Sequence, residues 1–529
     1  MAYVVLVSDP LAEEGLERLK SYPDVEVEVH TDWDEERLER EIGRFDALLV
    51  RSGTQVTARI IDAGTRLKAI GRAGVGVDNI DVDAATKKGI IVINSPDGNT
   101  LSAAEHTVAL MLSLARQIPQ AHHALVHERQ WNRSRFTGVQ IAGKALGVVG
   151  LGRIGSEVAR RAIGLDMRVL GYDPYISPER AKQLGVELVD LDTLCREADF
   201  ITVHVPLTKQ NAGLIGAPQF ALMKRGVRLI NAARGGIVDE GALYDAIKAG
   251  IVHGAALDVF SQEPPIDNPL LDLPQVIATP HLGASTYEAQ ISVAVDVAEA
   301  IVKALHGEPV ATAVNAPMFK GDNFERVAPY LDLCERLGRL FTGLFGGGFE
   351  RVEIAYRGSA AAFDSRALTP AVLKGMLDPV LHEQVNYINA KIFAEERGIH
   401  VTETKESRSP VYENLITITG HGKGSDMYVS GTVAQGGGPT LVDISGYRLN
   451  ISGSGLMLIA RNEDRPGIIG IVGTVLGRAN VNIAFMQVGR KVSGGDAVMV
   501  LGVDTHIDDE LLAELNQIEA LSDIRLVEW

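Results

Sequence analysis

The stretch "ALGVVGLGRIGSEVARRAIG" (residues 145–164) decides how the chain is read. An apolar run ends at Val149, glycines follow at 150, 152 and 155, and a helical pattern starts at once. Glycines at G-x-G-x-x-G spacing between strand and helix permit a tight turn and close backbone approach, and the helix N-terminus offers free N–H groups to a pyrophosphate. The next apolar run, "MRVLGYD", ends on Asp173, 18 residues beyond Gly155. A carboxylate there accepts a hydrogen bond from a ribose 2′-hydroxyl and repels a 2′-phosphate. No arginine follows in "DPY", so NAD is expected rather than NADP.

Outward from this motif, short strands alternate with helices from residue 1 to about 282, the rhythm of parallel α/β sheets. Ligands of such sheets sit beyond the carboxyl ends of the strands. "VRLINAA" runs into Arg234, "AALDVF" carries Asp258 and leads to Glu263, and "QVIATP" is followed by His281. Parallel strands would set a cation, a carboxylate and an imidazole on the dinucleotide edge, the set that oxidation of a hydroxy acid requires. Hydride leaves the substrate carbon only if the hydroxyl proton leaves too, and a histidine titrating near neutrality suits that transfer. A carboxylate on the far ring nitrogen fixes the tautomer. An arginine grips a substrate carboxylate and polarises the reacting oxygen. His204, inside "TVHVP", is expected to pack beside the cofactor; His123 and His127 have helical spacing but no third ligand, so no metal is expected.

The totals bound the rest. The 529 residues carry a net charge of −17, which argues against nucleic acid or an anionic membrane as partner, since both need a basic face. A small basic pocket for an anionic metabolite is compatible with that sign. Two cysteines, Cys195 and Cys334, give no disulfide framework and point to the cytoplasm. The opening "MAYVVLVSDPL" is too short for a signal sequence, and no apolar run reaches ~18 residues, so a soluble chain is expected. The apolar helix "SAAEHTVALMLSLARQI" (102–118) opens on Ser102 and Glu105 in capping-box spacing and reads as a core or subunit-packing helix interrupted by polar residues.

Four divisions follow: residues 1–98 with 283–317 as a discontinuous substrate-binding domain, because the helix "ASTYEAQISVAVDVAEAIVKALHGE" can carry the chain back; 99–282 as the dinucleotide domain; 318–452; and 453–529. The expected class is α/β, two Rossmann-like doubly wound parallel sheets plus two smaller α+β units. In the third segment "LFGGGF", "TGHGKG" and "AQGGGPTL" cluster glycines among β-leaning runs. The last reads βαββαβ, a ferredoxin-like order.

Together, "GVVGLGRIG", "GYDP", "NAARGGIVDE", "ALDVFSQEP" and "TPHLGAS" resemble, in order, the D-isomer-specific 2-hydroxyacid dehydrogenase family. With its two extra domains the whole chain is similar to the long members of that family. The resemblance implies oxidation of 3-phospho-D-glycerate, the first step of L-serine biosynthesis. It implies His281 as proton donor and acceptor, Glu263 as its partner and Arg234 as ligand of the substrate carboxylate. Arg153, Ile154, Asp173, Ala232 and Asp258 stand where the family contacts NAD, with Pro206, Ala233 and Gly283 beside them. "RAGVGVDN" places Gly74, Val75 and Gly76 near the substrate carboxylate, and Arg51 with Ser52 at a strand end is suited to the phosphate. Arg133 and Arg135 in "WNRSRF" either reach a neighbouring subunit's cleft or are surface charges. The 318–452 segment resembles an intervening domain of the allosteric substrate-binding type. The terminal unit resembles an ACT domain, where Asn462, Asp464 and Asn482 imply an effector, L-serine, held across paired domains of a homo-oligomer (dimer or tetramer); a dimerisation module without a ligand is the other reading. At its first helix, Pro466 is expected in the first turn. Two rivals stay open: a dehydrogenase of another D-2-hydroxyacid such as lactate, glycerate or 2-hydroxyglutarate, and a non-enzymatic NAD sensor.

Overall fold

The computed structural model describes residues 2–316, 323–346, 349–381, 385–409, 411–421, 426–434 and 438–529. Much of the three glycine clusters expected between 318 and 452 therefore lies outside the described residues. The first sheet is parallel, in the order β2-β1-β3-β4-β5, from β1 (Tyr3–Val7), β2 (Val25–Val29), β3 (Ala47–Val50), β4 (Ala69–Arg72) and β5 (Ile91–Asn94). β3 is buried throughout, as a strand covered on both faces should be, while the edge strand β2, "VEVEV", alternates and carries Glu26 and Glu28.

The second sheet is also parallel, from β6 (Ala145–Val149), β7 (Arg168–Tyr172), β8 (Glu187–Leu188), β9 (Phe200–Val203), β10 (Val227–Asn231), β11 (Val252–Leu257) and β12 (Val276–Ala278). Its order is β12-β11-β10-β9-β6-β7-β8, so the winding reverses between β6 and β9, where ligand crevices form. The short edge strand β8 had no apolar run long enough to announce it.

Helix Tyr287–Leu305 follows the second sheet yet covers the first: Val293, Val297, Ala298 and Ile301 pack with Val5, Val7, Ala47 and Ile93. Helix Thr100–Arg116 makes the opposite crossing, burying Leu110, Met111 and Leu114 against Leu146, Ile230 and Ala256 of the second sheet. The expected capping box does not form. This helix starts at Thr100, which places Ser102 inside the first turn, where its hydroxyl meets Thr286 Oγ1 at 2.7 Å, and Glu105 pairs with Arg161 instead.

The third sheet, β14-β13-β15-β16-β17-β18, comprises β13 (Arg351–Gly358), β14 (His400–Glu406), β15 (Asn414–His421), β16 (Met427–Val433), β17 (Pro439–Ile444) and β18 (Tyr447–Ser452). Helices Asn323–Phe345 and Ser365–Leu377 cover it. The fourth, β20-β21-β19-β22, is antiparallel, from β19 (Leu456–Glu463), β20 (Ile483–Arg490), β21 (Asp496–Val503) and β22 (Leu521–Glu528). Its alternation splits two cores: Met457, Ile459, Val498 and Val500 join the third unit's core, while Leu458, Ala460, Met499 and Leu501 pack on helices Ile468–Arg478 and Asp509–Asn516. Pro466 lies before that first helix rather than in its first turn, because Gly467, at φ +97°, forms the cap. Asn386 and Asn389 dock the third unit on the first, the Asn386 amide donating to Gly89 O at 2.8 Å. Among the described residues no helix is long and apolar enough to cross a membrane.

Ile301 is fully buried between the returning helix and the first sheet. Ile301→Ala should cost about 2–5 kcal/mol of stability in urea denaturation; a loss below about 1 kcal/mol would contradict that packing.

Candidate active site

A cleft of about 1020 Å³ runs between the carboxyl edges of the two parallel sheets. At its base lies the glycine loop. Gly150 turns at φ +93°, and a Cβ on Gly155 would stand 2.0 Å from Gly150 O, so the helix can start only with glycine there. A Cβ on Gly152 would meet nothing within 4 Å, which leaves its backbone open to a ligand. The loop is pinned by Asp173, whose Oδ2 accepts from Leu151 N at 2.9 Å and Oδ1 from Tyr175 N at 2.9 Å. Each Asp173 oxygen keeps a lone pair for a ribose hydroxyl. The glycine cradle, the helix start and this carboxylate fit a dinucleotide. Arg153 and Ile154 line the cleft, as do His204, Pro206, Ala232, Ala233 and Gly283.

His204 follows β9 and bonds Thr202 Oγ1 at 2.9 Å. Burial pushes its pKa down to about 4, so it stays neutral at working pH. That suits packing beside a cofactor, not proton transfer.

His281 and Glu263 come together at the end of β12. His281 Nδ1 lies 2.8 Å from Glu263 Oε2, and the other carboxylate oxygen accepts from Phe260 N at 3.1 Å. His281 adopts φ +55°, a left-handed backbone that costs a non-glycine residue roughly 1–2 kcal/mol. Its backbone N–H donates to Asp258 O at 2.9 Å and to Thr279 O at 3.0 Å, which holds that conformation. Such strain persists where the surroundings over-determine it, commonly at functional sites.

Asp258 is a peg beneath this loop. Its carboxylate accepts from Thr279 Oγ1 at 2.6 Å, Leu282 N at 2.7 Å and Gly283 N at 2.9 Å. Burial by itself raises the Asp258 carboxyl, but hydrogen bonds from His106, Thr279 and Leu282 outweigh it and hold the group below the usual carboxylate range. Expected as a cofactor contact, Asp258 lines the cleft but gives most of its hydrogen-bonding capacity to its own chain.

Arg234 reaches across from β10 to the first sheet. Its Nε donates to Asp78 Oδ2 at 3.2 Å, and its Nη2 lies 2.1 Å from where a Cβ on Gly76 would be. Gly74, Val75 and Gly76 line that wall, so Arg234 and the 72–79 loop meet. Arg51 and Ser52 follow β3 into the same cleft, with the 51–54 turn fastened by Asp9, which accepts from Arg51 N at 2.6 Å and Thr54 N at 3.1 Å.

Some functional residues were not singled out in the sequence. Arg72, closing β4, is mostly buried in the cleft wall, and its Nε has no partner among the described residues. Burial and the neighbouring Arg234 both push its pKa down. Its signal was its place at the carboxyl end of a strand, in the quoted "RAGVGVDN". Asp97, which meets Arg153 at 2.7 Å, sits in a linker with no pattern to read.

Other expected residues lie elsewhere. Arg133 and Arg135 sit on an exposed segment outside this chain's cleft, where Arg135 bonds Glu128 at 3.1 Å and Gln130 at 3.0 Å. In the fourth unit, Asn482 lies just before β20 and donates to Asp504 Oδ2 at 2.5 Å. Asp464 accepts from Gly494 N and Arg490 at the other end of that sheet; both hold its carboxyl below the usual range. The register sets Glu463 opposite Asp496 and Leu456 opposite Val503, so one chain does not bring Asn482 to Asn462 and Asp464. The sheet's strands are simply too long for that.

The paired sheets and their cleft define a dehydrogenase of 2-hydroxy acids. Residues 108–283 match the profile of the D-isomer specific 2-hydroxyacid dehydrogenase NAD binding domain, 326–445 that of the D-3-phosphoglycerate dehydrogenase intervening domain, and 456–520 that of the ACT domain. The D-3-phosphoglycerate dehydrogenase of Archaeoglobus fulgidus is 47% identical over 99% of this chain and 99% of its own; that of Bacillus subtilis is 45% identical over 99% of each. The chain belongs to the D-3-phosphoglycerate dehydrogenase family. Among solved structures, the D-lactate dehydrogenase of Aquifex aeolicus complexed with NAD and lactic acid matches with a TM-score of 0.53 and 30% identity, covering 59% of this chain and 99% of that one. The TT0316 protein of Thermus thermophilus gives 0.55 and 34%, covering 59% and 99%.

His204 sets a pH dependence. Its folded pKa lies below the value of about 6.5 it has unfolded, so the unfolded chain binds the extra proton between those values and stability falls as pH drops from 6.5 towards 4. Denaturation across that interval should show His204→Gln losing less than the wild type, by at most about 3 kcal/mol.

Proposed function

We propose that this protein oxidises 3-phospho-D-glycerate to 3-phosphohydroxypyruvate with NAD, the first step of L-serine biosynthesis. The contact of His281 Nδ1 with Glu263 Oε2 at 2.8 Å, in the cleft that Arg234 also lines, carries the reading. Bound NAD supplies the hydride acceptor. Glu263 holds the Nδ1 proton in place, so His281 Nε2 is the nitrogen that takes the substrate hydroxyl proton as the C2–H hydride departs. The ion pair Glu263–His281 then carries the new positive charge in place. In the reverse direction the same imidazolium returns the proton to the carbonyl oxygen. Arg234 binds the carboxylate and polarises the oxygen on C2, with the Gly74–Gly76 backbone beside it.

A phosphate needs further cations, and the first sheet supplies Arg51, with Ser52, and Arg72 in the same cleft. A D-lactate or glycerate enzyme has no use for them, and the full-length kinship points the same way. The boundaries we assign are 1–98 with 283–317 for substrate binding, 99–282 for NAD, 318–452 for the intervening domain and 453–529 for the ACT domain. Arg133 and Arg135 we assign to a second copy's cleft. Exposed Leu101, Ile118, Leu125, Val126 and Trp131 on the adjoining helices and loop suit a homo-oligomer contact. L-serine as effector would sit between paired ACT domains, where Asn462 keeps a buried Oδ1 without a partner among the described residues.

NADH formation tests the function. His281→Ala should lower kcat ~10²–10⁴-fold with folding intact, and Arg51→Ala should raise KM for 3-phosphoglycerate far more than it lowers kcat. Equal turnover of unphosphorylated D-glycerate would favour the rival substrates. Added L-serine should slow the wild type and leave an Asn462→Ala variant less affected; indifference of the wild type would reduce the ACT unit to a dimerisation module.

A further inference from the structure

We propose that His106 is a positioning residue for His281, acting through the buried Asp258 carboxylate; the inference rests on the hydride-transfer reading above. His106 stands on helix Thr100–Arg116, behind the cleft lining rather than in it. Its Nε2 lies 3.2 Å from Asp258 Oδ1 and 3.3 Å from Thr279 Oγ1. Thr279 Oγ1 gives its own proton to Asp258 Oδ1, so it accepts from His106 Nε2, which is the protonated nitrogen and sits against the carboxylate as well.

The reason this bond matters is the accounting at Asp258, whose side chain is 0% exposed. A buried charge is tolerable only when its hydrogen bonds are satisfied. Thr279, Leu282 and Gly283 are donors within the loop that carries His281; His106 is the polar group that reaches the carboxylate, and its donor Thr279, from outside it. The loop thus wraps a carboxylate whose own place is fixed by a rigid helix. Two neighbours on that helix reinforce the clamp: Ser102 bonds Thr286 at 2.7 Å, and a Cβ on Gly283 would stand 3.8 Å from Ala103 Cβ. The first turns of the helix thereby set the 279–286 segment, and with it the left-handed backbone that aims His281 at Glu263. Misplacing a reacting group by about 1 Å can cost 10²-fold in rate without touching ligand affinity. Helix Thr100–Arg116 also begins where the chain crosses between the two sheets, so its grip on the loop ties the proton acceptor to the geometry of the cleft.

The test is a kinetic comparison on the full-length enzyme with NAD and 3-phosphoglycerate. His106→Ala should lower kcat by about 10–100-fold, while KM and the NADH dissociation constant, read by nucleotide fluorescence, stay within about threefold. His106→Gln, which keeps an N–H donor, should recover most of the loss. Thr279→Val should lower kcat similarly, and the double variant should lose less than the product of the two, since both act on one carboxylate. Should His106→Ala not fold, His106→Phe preserves the ring and removes the donor. Unchanged kcat in the Ala or Phe variant, a matching loss of NADH affinity, or failure of Gln to restore turnover overturns the proposal. Wild type and His281→Ala run alongside: if the first turns over and the second does not, those failures fall on His106 alone. A wild type inactive on 3-phosphoglycerate overturns the reading of the site itself.

Discussion

The cleft exists because a helix must bury its apolar face, and helix Tyr287–Leu305 buries it on the sheet it did not follow. Val297 and Ile301 complete the core over β1, β3 and β4, so the chain has to leave the second sheet at the end of β12 and cross. Helix Thr100–Arg116 makes the reciprocal crossing. Two such connections hold two carboxyl edges face to face. Every functional group described here depends on that opposition: Arg234 comes from one edge, Arg51, Arg72 and the 74–76 backbone from the other.

Charge is distributed to suit an anionic substrate in an acidic protein. The chain carries −17 overall, yet the guanidinium groups of Arg51, Arg72 and Arg234 line one cleft. Each is engaged locally, Arg234 by Asp78, Arg51 by the Pro10 carbonyl, and Arg72 by burial that disfavours its charge. Grouping like charges costs free energy, and a bound anion would offset that cost. On the proposed assignment, affinity for a phosphorylated acid and the tension among these arginines are two views of one arrangement.

The C-terminal half follows another rule. The fourth sheet gives one face to its own helices and the other to helix Asn323–Phe345, so the third and fourth units share a continuous core. The shared core ties the fourth sheet to the third unit, and the Asn386–Gly89 bond extends that contact to the unit of the first sheet.

The glycine spacing at 150–155, the alternation of strands and the residues trailing each strand end were legible because they are local: turn chemistry, period and adjacency are written in consecutive positions. From them came both parallel sheets and the set Arg234, Glu263 and His281. Helix ends were read less well, Ser102 falling inside its helix and Pro466 just ahead of its cap, because packing and a glycine cap overrode local signals. Arg72, Asp97 and His106 acquire meaning only from partners more than 50 residues away or across the cleft, and Arg133, Arg135 and Asn482 lose their expected neighbours for the same reason. What the amino-acid order determined by itself was which elements form and which chemistry waits at their ends. Which of those ends face each other, and which buried carboxylate holds His281 in its left-handed turn, only the tertiary structure decided, because distance between remote residues is set by how helices bury their apolar faces.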